Sequence, residues 1–307
     1  MTTKKRSTKK SKTKKRTPAK KATAAKKSPP RRSPRAAFAV ATNEKKSSAE
    51  RAKAFVEAPL ATIESDQNAQ AALNVLRDRE QPIKVRLAAL QSLQSASFSV
   101  IEFEPYREDY LATLRELVDD PDEELRQRVL GILAREKDGY VQQKLLEGLQ
   151  DPSKALVPPE KALQLLSYDV HAEAYPVARE IVKDPPNPEA KREALRLLSA
   201  DANSAPVFEK LLRDKDEDRD VRQISAAALQ AVKPKQFQEQ ARELLLDDKE
   251  FDDIQATALT ALAQFGDEKS VVNDSKLMRR AEQLGKAKSA KVKKTAKSFL
   301  SRYGKEK

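Results

Sequence analysis

The sequence predicts an all-α fold: an α-solenoid of about seven stacked helix pairs, preceded by a disordered basic tail. Three observations predict it. One apolar register recurs seven times, and a turn of the form aliphatic–x–Asp precedes most of its copies. The charge falls in blocks: residues 1–37 carry sixteen Lys/Arg and no acid, residues 38–275 are net −13, and residues 276–307 are net +10.

The tail comes first. Residues 1–47 form the expected disordered segment, followed by a structured body over 48–307. Between Met1 and Arg35 there is Lys, Arg, Ser, Thr, Ala and Pro but no large apolar side chain. Such a stretch buries too little surface to offset its ordering entropy. Its cations suit a phosphate backbone, and the candidate nucleic-acid contacts are Lys14, Lys15, Arg16, Lys20, Lys21, Lys26, Lys27, Arg31, Arg32 and Arg35. Engaging about eight phosphates of B-DNA gives a log–log salt slope of roughly −7. No aromatic is interleaved, so base stacking is not expected and binding should be sequence-tolerant. The Ala/Lys/Pro mixture, with Ser28-Pro29-Pro30-Arg31 and Ser33-Pro34-Arg35, resembles linker-histone tails and the Lys-rich arms of some bacterial nucleoid proteins. That resemblance implies Ser-Pro-basic turns in A·T minor grooves. A tail folded back on the acidic body, or one serving solubility or localisation, remains open.

The body is built on second helices whose registers start at Val85, Leu125, Pro158, Ala190, Val221, Ile254 and Val292, in steps of 31–40 residues. Eight positions on stands Leu in every copy, from Leu93 to Leu300. Four positions on stands a small or slim residue: Ala89, Val129, Ala162, Ala194, Ser225, Ala258 and Ala296. At about 100° per residue these offsets share one buried stripe. First helices are predicted near 67–78, 106–118, 139–149, 172–183, 205–213, 236–247 and 270–284. They end at Asp78, Asp120, Asp151, Asp184, Asp214 and Asp248, with Pro121, Pro152 and Pro185 directly after three of the turns. A leading helix near 48–57 is expected to cover the open end.

Antiparallel pairs that can bury their apolar faces only against the next pair make a solenoid. These registers, with Val85-Arg86 and Val221-Arg222, resemble the HEAT-repeat family of armadillo-type solenoids over about 60–304. The resemblance implies a protein-binding scaffold. It also implies that the basic residue one place after each start (Arg86, Arg126, Lys191, Arg222, Lys293) pairs with a turn Asp of a neighbouring repeat, Asp120 or Asp184. Tetratricopeptide repeats fit less well, since Trp is absent. Offsets two, three and six face away from the core and would line the concave surface. They supply a polar, modestly basic face without aromatic anchors, on which Arg128, Lys161, Gln164, Arg192 and Arg196 are the candidate protein contacts.

Several segments depart from the repeat. Ser95 to Tyr110 inserts Phe98, Ile101, Phe103, Tyr106 and Tyr110, expected to extend the core and otherwise to form an exposed ridge. Asp214 to Asp220 copies alternate positions of a calcium loop, but Arg219 and Ser225 stand where such a loop needs Gly and Glu. His171 is expected in a turn. The last helix carries Lys286, Lys288, Lys291, Lys293, Lys294 and Lys297 around Val292, Ala296, Phe299 and Leu300, a polar end cap and a second candidate anionic contact.

With no Cys, one His and six Gly, the chain offers no thiolate or His-pair metal site and no Gly-rich phosphate loop, and no stretch reaches membrane-span length. The expectation is an intracellular monomer without cofactor or metal, not an enzyme, that holds a protein on its solenoid and nucleic acid, DNA above all, on its tail. The alternatives are an adaptor for proteins alone, whose tail is autoinhibitory or a localisation signal, and a HEAT-like DNA glycosylase. Against the latter, the sequence shows no inward carboxylate–aromatic cluster.

Overall fold

The computed structural model describes residues 33–169 and 172–304. The candidate contacts Lys14, Lys15, Arg16, Lys20, Lys21, Lys26, Lys27, Arg31 and Arg32, and also His171, lie outside the described residues. All regular structure in the described residues is helical. The leading elements are α1 (Pro34–Ala41), α2 (Ser48–Glu57) and a 3₁₀ turn at Pro59–Ile63. Seven pairs follow: α3 (Asp66–Arg77) with α4 (Ile83–Ala96), then, after the short α5 (Val100–Phe103), α6 (Arg107–Glu116) with α7 (Glu123–Arg135), and α8 (Gly139–Gln150) with α9 (Pro159–Leu166). Next come α10 (Tyr175–Lys183) with α11 (Pro188–Leu198), α12 (Ala205–Arg213) with α13 (Arg219–Val232), and α14 (Pro234–Leu246) with α15 (Asp252–Phe265). After α16 (Glu268–Asn273), the pair α17 (Ser275–Leu284) and α18 (Ala290–Tyr303) closes the array.

Many of the helices begin where a side chain can satisfy their free N–H groups. Ser47 and Glu50 form a reciprocal capping box on α2, and Asp122, Asp138, Asn187, Asp218, Asp274 and Ser289 cap α7, α8, α11, α13, α17 and α18. Two acids of the calcium-like segment thus have structural work: Asp218 caps α13, and Asp214 accepts the Asp216 N–H at 3.0 Å.

The registers pack as a stack. The small residues at offset four are all buried, as are six of the seven Leu at offset eight, Leu300 being partly so. Second helices pack on one another in unbroken order, α4 on α7, α9, α11, α13, α15 and α18, whereas first helices meet closely only at α3/α6 and α14/α17. Closer approach along one row curves the array toward that row, so the second helices line the concave side of a HEAT-like α-solenoid.

Three sequence expectations change. Residues 34–41 are helical where disorder was expected as far as 47: Ser33 caps α1, and Phe38 buries itself edge-on against Phe55 at 6.1 Å, with Ala37 and Ala41 beside it. Ser33-Pro34-Arg35 is therefore a helix start. Pro158 is exposed as the N-cap of α9, and Val157 takes the core position, because Pro lies before the helical turn that would point it inward. The insert splits by residue: Phe103 and Tyr110 are buried edge to face at 5.4 Å, Tyr106 donates to Asp66 at 2.9 Å, and Phe98 and Ile101 stay 81% and 85% exposed.

The joints are clamped by guanidinium groups. Arg86 donates through Nε to the Leu76 carbonyl (3.0 Å) and through Nη2 to Asp120 (2.6 Å), and all three residues lie in the interior. Arg222 repeats this with the Leu212 carbonyl (3.1 Å) and Glu250 (2.9 and 2.7 Å). Lys191 pairs with Glu217 at 2.6 Å, while Arg126 takes the carbonyls of Leu156 and Asp120. The expected Asp120 pairing holds, but Asp184 stays exposed outside the ladder. Lys293 is exposed too and pairs with no described carboxylate. Arg51 makes the same ten-residue reach, to the Ala41 carbonyl at 3.0 Å, so α1 and α2 form a leading pair of the same design. A second set of clamps joins first helices to later turns: Arg115 to Asp138 (2.8 Å), Arg179 to Asp201 (2.6 Å), and Arg242 to Asp274.

Candidate functional site

The concave row presents the predicted contact residues in two places. On α11, Arg192 donates to Glu189 at 2.5 Å, and Arg196 pairs with Glu193. The Arg192 bond holds the Glu189 carboxyl below the ordinary carboxylate range and raises the guanidinium above its own. These two arginines, expected as protein contacts, are paired within their own helix. Farther along, Gln223 donates to Thr257 at 3.2 Å, and the Thr257 and Thr260 hydroxyls turn back to helix carbonyls. The middle of the trough is polar and largely paired within itself, the buried Gln223 Oε1 being left without a partner.

The other place is a recess of about 390 Å³ where α4, α7 and α9 converge. It brings Arg128 and Lys161 together, with Gln94, Gln127, Arg135 and Tyr168 on its walls and Ile132 and Leu165 beneath. Arg128 leans on Glu124 at 2.6 Å, and Lys161 donates to Gln164 at 2.8 Å. Arg135 makes no ion pair with a described carboxylate and lies over the Tyr168 ring, 5.6 Å from its centre, while Tyr168 is 45% exposed. Arg and Tyr are the side chains that dominate binding energy at interfaces, and the pair is held ready by a cation–π contact.

The floor is opened by Gly131. It sits mid-helix, where Gly costs about 0.5–1 kcal/mol relative to Ala. A Cβ built there meets nothing nearer than Arg135 Nη2 at 3.9 Å, so packing does not demand a glycine. The equivalent positions carry Gln91, Gln164, Arg196, Ala227, Thr260 and Ser298.

Arg135 and Tyr168 escaped the sequence reading although a signal existed. Both stand ten places after their register starts. Ten steps of about 100° return to the arc of offsets two, three and six, so extending the register past its last Leu finds them. Among the described residues no helix is long and apolar enough to cross a membrane, and no three His, Cys, Asp or Glu gather as a metal would need.

No family profile and no curated protein sequence matches the chain. Similar solved structures include human deoxyhypusine hydroxylase, 15% identical, covering 81% of this chain and 100% of that one at a TM-score of 0.34. An engineered protein is 15% identical over 89% of each chain, with a TM-score of 0.44. The complex of CpcE and CpcF of phycocyanin lyase from Nostoc is 14% identical, covering 92% of this chain and 98% of that one at a TM-score of 0.25. The expectation that the chain is not an enzyme is corrected here. A hydroxylase and a lyase stand among the similar structures, so that expectation is not supported. The likeness is one of helical architecture and assigns this chain no activity.

Proposed function

We propose that the protein is a binding scaffold whose concave face holds a partner protein at the α7/α9 recess and whose basic tail holds nucleic acid. The observation that carries the first half is the recess itself: Arg128, Arg135, Lys161 and an exposed Tyr168 converge over a glycine floor in an otherwise self-paired trough. Three cations against one carboxylate favour an acidic segment of the partner, and the bare floor lets a peptide backbone approach closely. For the second half, Lys14 to Arg32 supply cations for sequence-tolerant phosphate contact, and Arg35 adds one from the exposed side of α1.

The test of the recess is an array of acidic and neutral twelve-residue peptides probed with the full chain and with Arg135→Ala/Tyr168→Ala. Acidic peptides retained by the first and weakened at least tenfold on the second support the reading; equal retention defeats it. Replacing the tail cations by Gln should flatten the salt dependence of duplex-DNA binding. Unchanged DNA binding with tighter peptide binding would instead identify the tail as autoinhibitory.

A further inference from the structure

The final helix differs from the rest of the array in the state of its charges. Val292, Ala296 and Phe299 are fully buried against the preceding pair, and Tyr303 donates its hydroxyl to the Leu262 carbonyl at 2.9 Å. The helix is therefore held in a fixed rotation about its axis. On a wheel of about 100° per residue, Lys291, Lys293, Lys294, Lys297 and Arg302 fill the half opposite those four anchors. All five are exposed, as are Lys286 and Lys288 in the approach to the helix. None of the seven pairs with a described carboxylate, whereas Arg128 of α7 and Arg192 and Arg196 of α11 lean on Glu124, Glu189 and Glu193. Helix α18 contains no acid at all.

Seven uncompensated cations on a rigid surface repel one another, and a polyanion relieves that repulsion. The helix from Lys291 to Arg302 is about 16 Å long, close to the axial length of five base pairs at about 3.4 Å each. Between the lysines stand exposed Ser298 and Ser301, short hydroxyl donors suited to phosphate oxygens. A lipid surface fits less well, because an interfacial helix needs apolar side chains on its free face and here they are turned inward. A protein partner fits less well too, since no exposed apolar or aromatic anchor separates the lysines.

We infer that the outer face of α18, with Lys286 and Lys288, is a nucleic-acid backbone site separate from the tail and from the concave recess. It reads no bases and takes duplex nucleic acid by its phosphates. Helix α1, which the tail precedes in sequence, and α18 lie at opposite ends of the array, so one duplex spanning it would be held at two points.

The test compares three full-length proteins: unaltered, Lys291→Gln/Lys294→Gln/Lys297→Gln, and Lys14→Gln/Lys15→Gln/Arg16→Gln. Each is titrated against a fluorescein-labelled random-sequence duplex over a salt series, with thermal melting as the folding control. The three lysines are exposed, so the melt should be unchanged. The α18 variant should lose about 2.7 from the log–log salt slope, about 0.9 for each phosphate contact removed. Replacement of the same lysines by Arg should restore it. A slope equal to that of the unaltered protein overturns the inference, as does a loss confined to the tail variant. So does an α18 variant that loses binding to phosphatidylserine vesicles while keeping its duplex affinity. A slope change in the α18 variant alone upholds this site and defeats the tail reading, so the two fail separately.

Discussion

At the scale of single residues, the clamps between repeats carry the largest stakes, because a buried guanidinium and its carboxylate depend on each other for solvation. Arg222→Met leaves Glu250 in the interior with Lys215 as its one remaining cation and should cost about 3–5 kcal/mol, read by urea denaturation. Arg51→Met removes a bond to one carbonyl only, and its Nη2 is already buried without a partner, so the cost should be about 1 kcal/mol. Equal losses would mean that the acid half of the clamp does no stabilising work. The carboxyls report on pH. Burial pushes Asp120 and Glu250 up, but bonds from Arg86 to the first and from Arg222 and Lys215 to the second, with backbone N–H groups on both, bring them below the ordinary range. A carboxyl lowered by folding stabilises fully above its unfolded value, near 4, and loses that contribution as pH falls through the folded value. Denaturation at pH 7 and pH 3 should thus show a steeper acid loss for the native chain than for Asp120→Asn, which starts less stable and changes less.

At the scale of elements, Gly131 and Gly148 should respond to a Cβ with opposite signs. Gly131→Ala fills open space and should stabilise α7 by about 0.5–1 kcal/mol while weakening anything seated in the recess. A Cβ on Gly148 would lie 2.9 Å from the Ala155 backbone, so Gly148→Ala should cost about 1–3 kcal/mol by forcing the turn after α8 away. Thermal melts of the two variants decide it. The elements themselves were legible in the sequence because a stripe at helical period must be buried, and seven copies fixed its phase; α2 fell on residues 48–57 as expected. What periodicity could not show was how charges resolve. Arg192 and Arg196 looked free on a wheel, yet Glu189 and Glu193 stand three positions before them, the spacing that joins side chains along a helix. Nor could it separate Phe98 from Phe103, since the insert has no repeat to set its phase; only packing beside Tyr110 decides which ring is covered.

At the scale of the whole molecule, each pair leans chiefly on its neighbours, so damage should stay local. Phe299→Ala, a buried ring at the far end, should speed amide exchange in α17, α18 and α15 and leave α3 and α4 unchanged; uniform acceleration would contradict nearest-neighbour stacking. The same measurement on the native chain bears on the joint between α9 and α11. There the ladder position holds Pro159, the following turn offers Pro186 in place of an acid, and Asn187 reaches Glu160 at 3.0 Å where the α4/α7, α11/α13 and α13/α15 joints have an ion pair. α9 spans eight residues, against fourteen for α4 and α13. The superhelix is accordingly an unevenly riveted coil, and the link that adjoins one wall of its groove at Lys161 is held by close helix packing and an amide bond where others are held by charge.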